Sequence, residues 1–261
     1  MAQVRPKKQL GQHFLKDQDI AARIVAAYHE EANQLPTLEI GPGMGVLSEL
    51  LIDESLQQRL VLMDLDRESI AFLSGRYVHP KLQIVHADFL RSDLNAYFGP
   101  DKFGIIGNFP YNISSQIFFK VLDYKQQIPL VVGMLQKEVA ERMAASEGNK
   151  TYGILSVLIQ AYYMVEYLFT VPPHVFDPPP KVQSGVIRLI RNQRETLPCD
   201  EKLFVRVVKA AFQTRRKTLR NALKTLNLPD PIRASKVMDL RAEQLSVEAF
   251  IELTREIEQY E

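Results

Sequence analysis

The feature that most constrains this chain is an alternation, through its first two-thirds, of short apolar runs with stretches of helical periodicity. The runs are TLEIG (37–41), LVLMD (60–64), LQIVH (82–86), FGIIGN (103–108), PLVVGML (129–135), YMVEYLFTV (163–171) and VIRLI (186–190). Between the early runs, segments such as 19–34 and 114–124 carry apolar residues three and four apart, the repeat of a helix face. Strands joined through helices imply right-handed crossovers and a mainly parallel sheet. Only the proline-rich VPPHVFDPPPKV separates the last two runs, so one sheet-edge strand is expected to be antiparallel. The pattern predicts an α/β fold with seven strands.

After Ile190 the pattern gives way to the polar stretch RNQRETLPCDEK, and from there to Glu261 only helical periodicity remains. Two domains are expected, an α/β domain over 1–192 and a small all-helical domain over 193–261. Composition supports a chain that buries a core: hydrophobic residues make up 46% and charged ones 24%, which excludes disordered and fibrous classes. Lys and Arg total 32 against 31 acids, so there is no uniformly basic coat. The charge is unevenly spread, however. Residues 202–224 hold Lys202, Arg206, Lys209, Arg215, Arg216, Lys217, Arg220 and Lys224 with no acid, whereas 225–261 hold four basic and eight acidic residues. Cys199 is the single cysteine, which excludes an internal disulfide and a cysteine-based metal cluster and points to a reducing, cytoplasmic setting. The basic N-terminus is not followed by an apolar signal region, and no run of 18 apolar residues occurs, so neither secretion nor a membrane span is expected.

The chemistry-bearing residues fall at the ends of the predicted strands. Glu39-Ile-Gly41-Pro-Gly43-Met-Gly45 follows the first strand and leads into VLSELLIDE, a predicted helix; glycines there let a backbone approach a ligand in the crevice of an open α/β sheet. A dinucleotide fingerprint needs its third glycine at position 46, which is Val46, so a nicotinamide-dependent oxidoreductase is disfavoured. The acid and glycine spacing instead resembles the first motif of S-adenosylmethionine-dependent methyltransferases. Asp64 closes the second strand, where a carboxylate can accept ribose hydroxyls. Asp88 follows the third, where one can accept from the amino group of adenine, and Asp66 is placed to cap a helix.

The fourth strand ends in Asn108-Phe109-Pro110-Tyr111. An amino group conjugated to a purine is a poor nucleophile. An amide oxygen and a backbone carbonyl that both accept from it draw its lone pair out of the ring and aim it at an electrophile. Proline locks its own φ and steadies that carbonyl, and Tyr111 offers a face for a base taken out of its stack.

With these residues in view, the chain closely resembles the bacterial ribosomal RNA adenine dimethyltransferases. The matching motifs are LGQHFL (10–15), EIGPGMG (39–45), DLD (64–66), HADF (86–89), NFPYNISS (108–115), FDPPPKVQSGV (176–186) and AAFQTRRKTLRNAL (210–223), together spanning almost the full length. Two positions depart from the usual pattern: His13 stands where the family has Asn, and Phe109 where it has Leu. The resemblance implies a Rossmann-like, seven-stranded methyltransferase sheet with a helical C-terminal domain. It also implies S-adenosylmethionine held by His13, Leu15, Gly41, Asp64, Asp88 and Asn108. The target base would meet Asn108, Pro110 and Tyr111, with Phe176 as a second aromatic wall. The implied partners are small-subunit ribosomal RNA and the immature small ribosomal subunit, met by a monomer. No general base is nominated, and His29, His79, His86 and His174 are read as structural or surface residues.

Lys202, Arg206, Lys209, Gln213, Arg216, Arg220 and Lys224 recur every three or four residues and share one face if their helix is continuous. Solvated helices mix charge signs to gain pairs at i,i+4, so this acid-free stripe is expected to bind RNA phosphates. Arg5, Lys7, Lys8 and Lys16 are expected to lie against the same RNA. Two alternatives stay open, a non-catalytic RNA-binding assembly factor with the same fold and a large-subunit resistance methyltransferase.

Overall fold

The computed structural model describes residues 4–32, 34–52 and 56–260. Two strands and helices open the chain: β1 (Phe14–Leu15), α1 (Gln18–Ala32), β2 (Thr37–Ile40) and α2 (Ser48–Leu51). There follow β3 (Leu60–Asp64), α3 (Arg67–Arg76), β4 (Leu82–His86), α4 (Asn95–Phe98), β5 (Gly104–Asn108), α5 (Ser114–Asp123), β6 (Leu130–Gln136), α6 (Lys137–Ala144) and α7 (Ile154–Gln160). The remaining strands are β7 (Tyr163–Val171), β8 (Phe176–Asp177) and β9 (Ser184–Arg191), and the remaining α-helices are α8 (Glu201–Gln213), α9 (Leu219–Ala222), α10 (Asp230–Ala234) and α11 (Val247–Glu258).

All seven predicted runs are strands of one sheet, in the order β4-β3-β2-β5-β6-β9-β7. The pairs β2–β3, β3–β4, β2–β5 and β5–β6 are parallel, and β9 runs antiparallel to β6. The antiparallel strand therefore lies one place in from the edge and not at it, because β7 takes the outer position beside β9. Every residue of β3 is buried, as expected of a parallel strand covered on both faces. α1 lays Ala21, Ile24, Val25, Tyr28 and Ala32 into the core at helical spacing, and Asp17 Oδ1 accepts the Ile20 amide at its start (3.0 Å). The helix expected after the glycine loop is only the single turn of α2; Asp53 and Glu54 of that expectation lie outside the described residues. The chain leaves β2 toward β3 and β4 and returns to β5 on the other side of β2. This reversal opens a crevice at the carboxyl ends of β2 and β5.

Contacts divide the chain into two compact units, one ending at Ala140 and taking in Glu166–Arg191, the other formed by Glu141–Val165 and the residues from Asn192 onward. The expected division at 192 is thus shifted by an excursion, since Glu141–Val165 belongs with the C-terminal helices. Its Tyr152 ring meets Phe212 of α8 (6.1 Å), Arg215 donates to the Tyr152 carbonyl (3.0 Å), and Arg194 donates to the Ala161 carbonyl (3.0 Å). In the second unit, α8 is capped by Asp200 on the Leu203 amide (2.6 Å) and buries Leu203, Phe204, Val207, Val208, Ala211 and Phe212. Among the described residues no helix is long and apolar enough to cross a membrane.

Candidate active site

The crevice at the ends of β2 and β5 is a cleft lined by Gly41, Met63, Asp64, Asp88, Asn108 and Tyr111. Gly41 sits at its floor with φ +66°; a Cβ there would lie 3.7 Å from the Asn108 carbonyl oxygen. Gly43, with φ +56°, is tighter, since a Cβ would come within 2.9 Å of the Phe14 ring. Met63, Leu65 and Phe89 give the wall an apolar character, and Leu65 stays 49% exposed, an apolar surface that a flat heteroaromatic ring would cover.

The acids are held by backbone amides. Asp64 is 7% exposed; its Oδ2 accepts Gly43 N–H (3.2 Å) and its Oδ1 accepts Asp66 N–H (2.8 Å), so each oxygen keeps a lone pair for a hydroxyl donor. Burial raises its pKa against the lowering effect of those amides. Asp88 accepts Leu90 N–H (2.9 Å), lies 3.5 Å from Arg91 and lines the same cleft. Glu39 is fully enclosed within β2. Burial pushes its carboxyl up to about 8, although Ser48 donates to it (2.7 Å) and favours ionisation; nearby Asp64 raises it further. Asp66 caps α3 by accepting Glu68 N–H (3.0 Å), as expected.

Sequence reasoning missed what else holds Asp66. Lys7 Nζ lies 2.5 Å from its Oδ1 and Gln12 donates to its Oδ2 (3.1 Å), which straps the N-terminal segment beside the cleft. Burial opposes ionisation of Asp66, but these donors outweigh it and hold its pKa below the usual value. Lys7 also meets Glu68 (3.0 Å), so it is paired with two acids. These partners lie 59 and 54 residues from Asp66, too far apart for any local pattern. Lys120 was missed for the same reason. It is 9% exposed and donates to the carbonyls of Leu90 (3.2 Å) and Ser92, with its ammonium 5.3 Å from the Phe89 ring, and so fixes the loop that carries Asp88.

At the end of β5, Asn108 Nδ2 donates to the His13 carbonyl (2.9 Å). A carbonyl only accepts, so the amide is oriented with its Oδ1 left as an acceptor. The Pro110 carbonyl accepts Ile113 N–H (3.2 Å) and keeps its second lone pair. Tyr111 is half-buried; its hydroxyl meets Ser184 Oγ (2.5 Å) and its ring lies 5.3 Å from that of His13. His13 Nδ1 donates to the Pro178 carbonyl (2.7 Å), so its ring faces Tyr111 and the proline loop. Phe109 fills space left by Gly133, where a Cβ would lie 2.2 Å from its ring; small neighbours accommodate the larger residue at this position.

His13, Gly41, Asp64, Asp88, Asn108, Pro110 and Tyr111 thus share one cleft. Leu15, with its side chain 5% exposed and its backbone in β1, lines an adjoining pocket with Gly41, Gly43 and Asn108. Phe176 pairs with Leu15 in the β1–β8 ladder and is 1% exposed, packed with the core residues beside it. The cationic stripe is not one helix face, because α8 ends at Gln213 and a turn precedes α9. Lys202, Arg206 and Lys209 lie exposed on α8, while Arg216, Arg220 and Lys224 are exposed on later segments. Arg220 is held by Asp239 (2.6 Å), an acid from the other half of the charge dipole.

The mainly parallel sheet, glycine floor and strand-end acids define a Rossmann-like methyltransferase that uses S-adenosylmethionine. The family described as ribosomal RNA adenine dimethylase matches residues 3–259, and the chain belongs to it. It is 59% identical over 254 residues to a ribosomal RNA small subunit methyltransferase A of Cytophaga hutchinsonii, covering 97% of this chain and 98% of that one. The corresponding protein of Flavobacterium johnsoniae is 54% identical over 258 residues, covering 99% and 98%. Among solved structures, a dimethyladenosine transferase from Plasmodium falciparum superposes with a TM-score of 0.78 at 26% identity, covering 92% of this chain and 96% of that one. The 23S rRNA methyltransferase ErmE gives 0.67 at 25% identity, covering 92% and 99%.

Proposed function

We propose that this chain transfers methyl groups from S-adenosylmethionine to the N6 amino groups of two adjacent adenosines in a hairpin of small-subunit (16S) ribosomal RNA, giving N6,N6-dimethyladenosine. It does so as a monomer acting on the immature small subunit. The observation that carries the reading is the oriented amide of Asn108, whose NH₂ is spent on the His13 carbonyl and whose Oδ1 remains for a donor. Asn108 Oδ1 and the Pro110 carbonyl accept hydrogen bonds from N6–H, which turns the nitrogen lone pair out of conjugation, while Tyr111 stacks on the base; each transfer breaks the S–CH₃ bond, forms N–CH₃ and releases one N6 proton to solvent. The cofactor supplies a methyl group made electrophilic by its sulfonium. Asp64 holds the ribose hydroxyls, Asp88 the adenine amino group, Gly41 meets the cofactor from the loop, Asn108 lies near the methionine end, and His13 and Leu15 present backbone to the cofactor. Positioning of the two reactants carries much of the rate in such a reaction.

Lys202, Arg206, Lys209, Arg216, Arg220 and Lys224 serve as phosphate contacts, supported by their exposure across the helical unit. The test is mass mapping of methylated adenosines in ribosomal RNA from cells with and without the gene. Loss of dimethyladenosine at two neighbouring small-subunit positions is expected. An unchanged small-subunit map, or a loss confined to the large subunit, would overturn the assignment.

A further inference from the structure

Tyr111 stands at a turn whose backbone is well held: its carbonyl accepts Ser114 Oγ–H (3.2 Å), and the Pro110 carbonyl accepts the Ile113 amide (3.2 Å). The backbone does not fix the ring, which still turns about two side-chain torsions. Two contacts settle its plane. The His13 ring packs against it at 5.3 Å and 33°, and the Ser184 hydroxyl meets its far end at 2.5 Å across 73 residues of chain. Ser184 opens β9 opposite Gln136 of β6 and is fully buried, followed by the buried Gly185, Val186 and Ile187. A hydroxyl in such a place is costly unless it is hydrogen-bonded. Burial keeps the Tyr111 phenol protonated, so it has a hydrogen to share.

We propose that Ser184 is a positioning residue for methyl transfer: it anchors the Tyr111 hydroxyl and thereby sets the plane on which the target adenine stacks. This rests on the reading of Tyr111 as the stacking face. The consequence is chemical, because the direction of the N6 lone pair is set relative to the base plane. A tilt of the ring beneath the base misaims that lone pair without disturbing the cofactor.

Four variants test this in single-turnover methylation of unmodified small-subunit RNA at saturating RNA and S-adenosylmethionine: Ser184→Ala, Tyr111→Phe, the two combined, and Tyr111→Ala. Cofactor affinity is measured on each by calorimetry. Ser184→Ala and Tyr111→Phe should each slow the step roughly threefold to tenfold, the range of one net hydrogen bond. Cofactor affinity should be unchanged, and the combined variant should be no slower than either alone, since both remove the same contact. Tyr111→Ala should be far slower. A Ser184→Ala rate equal to wild type beside an inactive Tyr111→Ala overturns the anchor, as do additive losses or a parallel loss of cofactor affinity. A wild-type rate in Tyr111→Ala refutes the stacking reading itself. If Ser184→Ala fails to fold, Tyr111→Phe leaves the sheet untouched, and a wild-type rate in that variant overturns the proposal.

Discussion

Glu39 offers a test of the site's electrostatics that needs no substrate. Its carboxyl is fully buried and its pKa is raised from 4.5 to about 8, first by desolvation, with Asp64 adding to it. The folded protein therefore holds a proton on Glu39 that the unfolded chain gives up above about pH 4.5. Stability conferred by the neutral acid is complete below that value and is lost as pH rises toward 8, at up to roughly 1.4 kcal/mol per pH unit. Glu39→Gln keeps the shape and an acceptor for the Ser48 hydroxyl but has nothing to ionise. Urea unfolding of both proteins from pH 5 to 9 isolates the effect, because most other titrations cancel in the difference. Wild type should lose about 3–4 kcal/mol relative to Glu39→Gln between pH 5 and 8, an order-of-magnitude figure set by the size of the shift. A difference that stays flat across that range would refute the buried, neutral carboxyl.

Asp64→Ala removes a charged ribose acceptor and should weaken S-adenosylmethionine binding by roughly 1.5–3 kcal/mol, or about 10- to 150-fold in Kd; an unchanged Kd in a folded variant removes Asp64 from the site. Lys120→Met leaves the Leu90 and Ser92 carbonyls without their donor, and it should cost about 1–3 kcal/mol in unfolding free energy while also weakening cofactor binding through the Asp88 loop. Unaltered affinity would confine Lys120 to stability. In the helical unit, Arg216→Gln should make the slope of log RNA affinity against log salt shallower by about 0.7–0.9. Arg220→Gln should shift it less, because Arg220 already spends its charge on Asp239; equal shifts would show that this pair opens to bind RNA.

The strands were legible because each is a buried apolar run closed by a turn, and the acids of the cleft because each stands at such a strand's end. Strand order was less so: nothing in the periodicity of 163–190 tells that β9 inserts between β6 and β7. The charge repeat continues through Thr214–Thr218 although the helix does not. There Arg215 turns to the Tyr152 carbonyl, and Thr218 bridges to Arg241, contacts made far along the chain. The burial of Phe176 was not legible, because motif position says nothing of which way a side chain faces. Lys7, Gln12, Lys120 and Ser184 carry no local signal, since each acts on a residue at least 28 positions away.

The central claim is that the oriented amide of Asn108 drives transfer to the adenosine nitrogen. Its most direct measurement is the single-turnover methylation of unmodified small-subunit RNA by Asn108→Ala, with labelled S-adenosylmethionine and RNA both saturating. Cofactor affinity and unfolding are followed in parallel. The amide oxygen acts on the reacting nitrogen, so the rate should fall by roughly 100-fold or more, as on removal of a preorganised electrostatic group, while the protein stays folded and saturable by cofactor. A wild-type rate under those conditions would contradict the account.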